Sequence, residues 1–417
     1  MAIIKPFKGL RPPKEIVEEI TCLPYDVMNS EEAAKMANGK VASLLRITHA
    51  EIELDKNTDS HSEKVYLHAK SNFETFQNKK YLIQDNEAKF YIYAQTMNGK
   101  TQYGIVGAAS CQDYIDGVIK KHELTRPDKE EDRKVLSRIL EANVEPVFFT
   151  YRAVPEIDAI VENIVTNNKP EYDFTAEDGF GHHFWVIKDA TINKNIEQLF
   201  KDKVPNTYVA DGHHRTAAAA GMAEEFRKKN PNYTGNEPYN FFMAVHFPDT
   251  QLQIIDYNRV VKDLNGLKTD EFLSKIDKNF TIKQVSEKIV KPERLHEFSM
   301  YLDGKWYGLA AKDNTFNDDN PIDSLDVSVL SKYVLDPVLD IKDLRTDTRI
   351  DFVGGIRGLS ELSKRVDSGE MAVAFALYPV SMNQLMNIAD TNNIMPPKVT
   401  WFEPKLRSGL VINKINE

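Results

Sequence analysis

The stretch Asp211-Gly212-His213-His214-Arg215 puts a carboxylate, two imidazoles and a guanidinium side by side. Those groups suit an anion. Arginine can fork two phosphate oxygens, and imidazole can donate to a third. The chemistry they point to is the holding of a phosphate group. Two other readings use the same residues. A surface turn would merely hydrogen-bond its histidines, and Asp211, His213 and His214 are all good metal ligands. Adjacent histidines diverge on a helix or strand, so both rarely reach one ion.

The flanking sequence decides how these groups are presented. Tyr208-Val209-Ala210 reads as the end of a buried strand, and Asp211-Gly212 as a turn. Thr216-Ala217-Ala218-Ala219-Ala220 is a strong helix former. The motif therefore sits where a strand gives way to a helix. Free N–H groups and the positive end of the helix dipole point outward at such a terminus. The expected arrangement is a phosphate cradle of Gly212, His213, His214 and Arg215.

Two further segments carry candidate chemistry. Lys121-His122-Glu123-Leu124-Thr125 lies between a short strand and a helix that begins near Asp128, so His122 and Glu123 can project into a cleft. By itself the segment reads far more readily as a solvated charged turn. Thr125 or Asp128 is the expected cap of that helix. The tail Pro396-Pro397-Lys398-Val399-Thr400-Trp401-Phe402-Glu403-Pro404-Lys405-Leu406-Arg407 has proline brackets and three cations. A fixed loop carrying Lys398, Lys405 and Arg407 would close over an anion. An ordinary terminal strand with exposed lysines would read the same way.

Bulk properties narrow the partners. A net charge of −10 argues against non-specific nucleic-acid binding, which needs a basic surface. Cys22 and Cys111 are the sole cysteines, too few for a disulfide framework or a zinc spacing. Neither a signal peptide nor a run of roughly 20 apolar residues is present, so a cytoplasmic protein without membrane contact is expected. Homodimerisation is left open.

The rest of the chain supplies the scaffold. Asn98-Gly99 between Phe90–Gln95 and Tyr103–Ser110 is a hairpin signal. Val41 to Ile47 reads as a buried strand. His61 to Asn78 reads as a helix whose apolar side is Val65, Leu67, Ala69, Phe73 and Phe76. Phe241–Phe247 and Leu252–Tyr257 read as an antiparallel pair around Pro248-Asp249. Beyond about Gly266, alternating strand and helix patterns read as a second α/β domain.

At this point the chain resembles a known family. Pro24-Tyr25-Asp26-Val27, the segment 121–125, the motif 211–215 and the tail from Pro396 together resemble the bacterial family DUF1015. That family is in turn similar to the ADP-dependent free serine kinases. Their His-Glu pair resembles His122-Glu123, and their Asp-Gly-His-His-Arg motif resembles residues 211–215. Their Gly-Glu-Ile strand resembles Gly369-Glu370-Met371, and their Pro-Lys-x-Thr segment resembles Pro397-Lys398-Val399-Thr400.

The resemblance implies a mixed α/β (α+β) chain in two domains. The first, 1–265, would be a ParB/sulfiredoxin-like nucleotide-binding domain with an N-terminal extension and an insertion near 150–190. The second, 266–417, would be a C-terminal α/β domain whose tail returns to the active site. The implied activity is transfer of a phosphoryl group from ADP or ATP, with Mg²⁺, to free serine or a similar hydroxy amino acid. Glu123 would be the catalytic base, with His122 and Asp211 beside it and Asp211 contacting the metal. Lys398, Thr400 and Arg407 would bind the substrate. The alternatives are a ParB-like nucleotide-binding regulator without transferase activity and a metal-dependent hydrolase.

Overall fold

Asn98 and Gly99 both take positive φ, 52° and 77°. A two-residue turn of this kind matches the twist of the strands it joins. It links β1 (Tyr91–Met97) to β2 (Lys100–Ser110) in the register Met97 to Lys100. The chain, described over residues 1–416, is a computed structural model. It divides into two compact units, Met1–Leu252 with the tail from Pro404, and Gln253–Glu403.

The first unit is built on one mixed sheet. After β2 come β3 (Ile119–Lys120), helix α1 (Pro127–Leu140), β4 (Val147–Tyr151), β5 (Tyr172–Thr175) and β6 (Gly181–Val186). Then follow β7 (Thr207–Asp211), α2 (His213–Lys229) and β8 (Phe241–Pro248). The spatial order is β3-β7-β4-β8-β2-β1-β6-β5, with Ile4–Lys5 paired onto β2. β7 runs parallel to β3, and β8 parallel to β4; the other pairings along the path are antiparallel.

Small side chains let α2 sit close on this sheet. Ala219 and Ala223 pack with Val147, Phe149, Val209, Phe242 and Ala244 in one apolar cluster. Leucine at either alanine would hold helix and sheet apart. α1 lies alongside α2, where Lys134 and Arg138 both reach Glu225, at 2.8 and 2.9 Å. An N-terminal helical layer covers α1 in turn. It centres on Leu45, Tyr66, Phe73 and Phe76 with Leu136 and Leu140. Farther along the same face, Tyr151, Ile157, Val161, Trp185, Ile196 and Phe200 form a second apolar cluster, and the His246 ring meets both Phe149 and Phe200 where the two clusters adjoin.

Several local expectations are corrected. Leu45–Thr48 is a helical turn, not part of a strand. A short apolar run cannot by itself distinguish a strand from a buried helix. In the helix Glu63–Asn78, Leu67 is exposed and Tyr66 takes its place on the buried face. α1 starts at Pro127, and no side chain caps it; Thr125 bonds Glu130 and Asp128 pairs with Arg126. β8 does not pair with the segment that follows it. Its partners are β2 and β4, whereas Ile254–Ile255 pairs with Trp401–Phe402 in the second unit.

In the second unit the sheet is antiparallel throughout. Its order is Phe280–Ser286, Lys305–Ala311, Glu297–Leu302, Val373–Leu377, Tyr257–Val261, Ile350–Gly354. Leu362 from the helix Ser360–Asp367 packs on one face against Val260, Tyr301, Trp306 and Ala374. Alternating helices and strands therefore produce an α+β arrangement here, not βαβ crossovers.

Candidate functional site

β7 carries a bulge just before the motif. Val209 opposes Phe149 and Asp211 opposes Phe148, so Ala210 is the extra residue. A bulge turns the following side chain away from the regular alternation. Gly212 then takes φ +95°, and α2 begins at His213. No side chain caps this helix. Its first-turn amides are thus not claimed by a cap residue.

Asp211 is engaged through both oxygens. Oδ1 accepts the Gly212 amide at 3.0 Å, and Oδ2 lies 3.2 Å from Nζ of Lys405. Burial opposes its charge, yet Lys405 and Arg215 prevail and hold the carboxyl at about 2. The group is ionised at any working pH.

His122, Glu123 and His213 come together next to it. The His122 and His213 rings meet edge to face with centroids 4.6 Å apart. His213 Nδ1 is 3.8 Å from Oε2 of Glu123. Both imidazoles are buried, while the Glu123 side chain is 44% exposed. Burial pushes His122 down to about 4 and His213 well below the usual imidazole range, with Asp211 pulling the other way. Both are neutral at pH 7, so they act as hydrogen-bonding groups and not as cations. Nε2 of His213 is buried with no hydrogen-bond partner among the described residues.

The other two members of the motif diverge. His214 Nε2 accepts the main-chain N–H of Arg126 at 3.1 Å, which ties α2 to the start of α1. Arg215 is turned inward behind Gly212. It donates to the Pro146 carbonyl, and Nη2 lies 3.6 Å from Oδ2 of Asp26. A Cβ on Gly212 would meet the Arg215 guanidinium at 3.2 Å. Burial works against this charge, but Asp26, Asp211 and Glu145 hold it firmly protonated. Its Nε has no partner among the described residues.

Glu145 locks the surrounding loop. It accepts the Tyr25 amide at 2.9 Å and lies 3.4 Å from Arg133, whose guanidinium stands 3.9 Å above the Tyr25 ring. That fixes Tyr25-Asp26 against Arg215. Asp26, Glu145 and Arg126 were not singled out from sequence as site residues. Asp26 lay in a recognisable motif, but nothing local marks a residue that acts through a neighbour's main chain.

The three substrate candidates are placed differently. Arg407 belongs to the first unit, where it pairs with Asp178, approaches His182 at 3.4 Å and donates its amide to Tyr93 at 3.2 Å. Lys398 and Thr400 belong to the second unit. The Lys398 carbonyl accepts from the buried Arg259 at 2.8 Å, and its ammonium lies 5.7 Å from the centre of the Tyr257 ring.

Among the described residues no group of three or more His, Cys, Asp or Glu is arranged to hold an ion. His213 and His214 face different neighbours, as adjacent histidines on a helix do. A magnesium ion needs less from the protein, because waters and phosphate oxygens fill most of its positions. Asp211, with both oxygens already engaged, suits contact through water.

The turn gives one direct prediction. Alanine at Gly212 must adopt a positive φ and crowd Arg215. Gly212→Ala is expected to lower stability by about 1–2 kcal/mol. An unchanged urea midpoint would show that the turn tolerates a Cβ.

The sequence matches the family described as protein of unknown function DUF1015 over residues 4–328. No curated protein matches it. Among solved structures it is similar to free serine kinase in complex with AMP, at 11% identity and a TM-score of 0.36, over 75% of this chain and 91% of that one. A variant of the free serine kinase in complex with ADP is similar at 10% identity and a TM-score of 0.35, over 76% and 93%. A conserved hypothetical protein from Pyrococcus furiosus is similar at 12% and 0.31, over 72% and 90%. Likeness this loose carries nothing about the chemistry of this chain. Among the described residues no helix is long and apolar enough to cross a membrane.

Proposed function

The chain belongs to the DUF1015 family, and we propose that it is a small-molecule kinase that moves a phosphoryl group from ADP or ATP to a hydroxyl. The observation that carries the reading is one juxtaposition. A partly exposed carboxylate, Glu123, stands beside the uncapped start of a 17-residue helix. Phosphoryl transfer is mostly positioning and charge neutralisation, plus a base for the acceptor proton. The helix start and Gly212 would take the donor phosphate, with the Arg215 charge directly beneath them. Glu123 would take the proton of the attacking hydroxyl. His122 and His213, both neutral, would donate to phosphate or to Glu123. A magnesium ion would neutralise the phosphates, contacting Asp211 through water. The motif resemblance to the free serine kinases supports serine or a similar hydroxy amino acid as acceptor, with Arg407 as its candidate contact in the first unit.

The test is product formation. Purified full-length protein with Mg²⁺ and ADP or ATP is offered each free amino acid, and phosphorylated product is sought by mass. O-phosphoserine from serine is the expected result. Nucleotide binding without any phosphorylated amino acid would sink the acceptor assignment and favour a nucleotide-binding regulator. Absence of both binding and product would remove the kinase reading altogether.

A further inference from the structure

We propose that Lys405, delivered by the C-terminal tail, is a phosphate-binding residue, and that Asp211 is the latch that holds its ammonium beside the helix start. This rests on the phosphate-transfer reading above and adds to it a residue nearly two hundred positions away from the motif in sequence.

The first argument is geometric. Lys405 Nζ sits 3.2 Å from Asp211 Oδ2, and the other oxygen of the same carboxylate accepts the Gly212 amide. One carboxylate therefore bridges the phosphate loop and the tail. The lysine side chain is 14% exposed and that of Asp211 27%, so the pair lies at the edge of solvent and is not sealed in the core. The tail is also held at Lys405 and beyond it. Gln95 donates to the Lys405 carbonyl at 2.9 Å, and Tyr93 accepts the Arg407 amide at 3.2 Å. Ser408 exchanges main-chain bonds with Cys22, and Ile412–Lys414 pairs with Gly9–Arg11 and Ala142–Asn143. The position of the ammonium is thus set by the fold.

The second argument concerns charge. A nucleoside diphosphate brings several negative charges to the loop. The motif's own cation, Arg215, is turned inward onto Pro146 and Asp26. The two histidines nearest Glu123 are neutral. Lys405 puts a full positive charge next to the loop, on an ammonium that already donates to Asp211. A purely structural reading makes Lys405 only the counter-ion of Asp211, and the two differ in what happens when both charges are removed.

The experiment is calorimetric titration of ADP, with adenosine as a control probe, into the full-length protein, Lys405→Met, and the double variant Asp211→Asn with Lys405→Met. The double variant leaves no orphaned buried charge, so it guards against a folding defect in the single one. ADP affinity is expected to fall by about tenfold or more in both, as loss of a charge-assisted contact requires, while adenosine affinity stays put. ADP binding by the double variant as tight as wild type would reduce Lys405 to a counter-ion and overturn the proposal. Failure of the wild-type protein to bind ADP would overturn the phosphate site itself, and this assignment with it.

Discussion

Glu123→Gln is expected to lower the rate of phosphoryl transfer by roughly 10²–10⁴-fold, the range over which a positioned general base acts, with ADP affinity nearly unchanged. Glutamine keeps the volume and one acceptor oxygen but cannot accept the proton. Glu123 is suited to the role by its surroundings. It lies in the segment between β3 and α1, outside regular structure, and its side chain is 44% exposed, so an acceptor can reach it. His213 Nδ1 faces it from 3.8 Å, too long for a hydrogen bond in this state. Ligand-free catalytic contacts are often loose in this way and tighten on binding. Steady-state rates with the acceptor found in the product screen give the measurement. A variant retaining a third or more of wild-type turnover would take the base assignment away from Glu123, leaving the phosphate cradle to be judged on its own binding data.

How much of this site the sequence disclosed depended on the range of the interactions involved. The strand, turn and helix at 207–229 were legible because each is decided locally, by an apolar run, a glycine at φ +95° and an alanine-rich stretch. The hairpin at Asn98-Gly99 was legible for the same reason. Arg215 is the opposite case. In sequence it is a cation beside two histidines, equally able to face a ligand or the interior. Its direction is set by Pro146 and Asp26, which lie in other parts of the chain. The bulge at Ala210 is invisible too, since it exists only in the pairing of β7 with β4. Lys405 could be noticed as a tail cation, but its tie to Asp211 depends on a tail threaded past β1. The failed strand pairing after β8 has the same origin. A turn signal at Pro248-Asp249 was present, but the edges of β8 were already taken by β2 and β4.

Acid is expected to unfold the protein steeply below about pH 6.5, through histidines far from any chemistry as well as those within it. His122, His182, His213 and His246 are all buried, and burial is the largest cause of a lowered pKa in each. His122 falls to about 4, and His182 and His246 to about 3. In the unfolded chain each titrates near 6.5. Between those limits the unfolded state binds the proton and the native state does not. Stability from these groups is therefore fully present above about pH 6.5 and is lost as pH falls towards 4. Each contributes about 1.4 kcal/mol per pH unit at most, so four together amount to roughly 5 kcal/mol per unit. His296 opposes them: burial lowers its pKa, but Asp326 and Asp318 outweigh it and raise it, so it stabilises the acid side. Asp113, whose carboxyl burial pushes up to about 6, opposes them as well, and these two do not offset four. Asp211, held at about 2, loses its contribution only at still lower pH. Urea unfolding at pH 7.5, 6.5 and 5.5 measures the slope. His246 allows the slope to be dissected, because neither of its ring nitrogens has a partner among the described residues and it packs between Phe149 and Phe200 at 5.4 and 5.5 Å. His246→Phe should remove about one proton from the transition and leave the variant more stable than wild type at pH 5.5, by about 1 kcal/mol. An unchanged slope in that variant would mean that His246 takes up its proton in the native state, and that the ring is not shut in the core as its surroundings require.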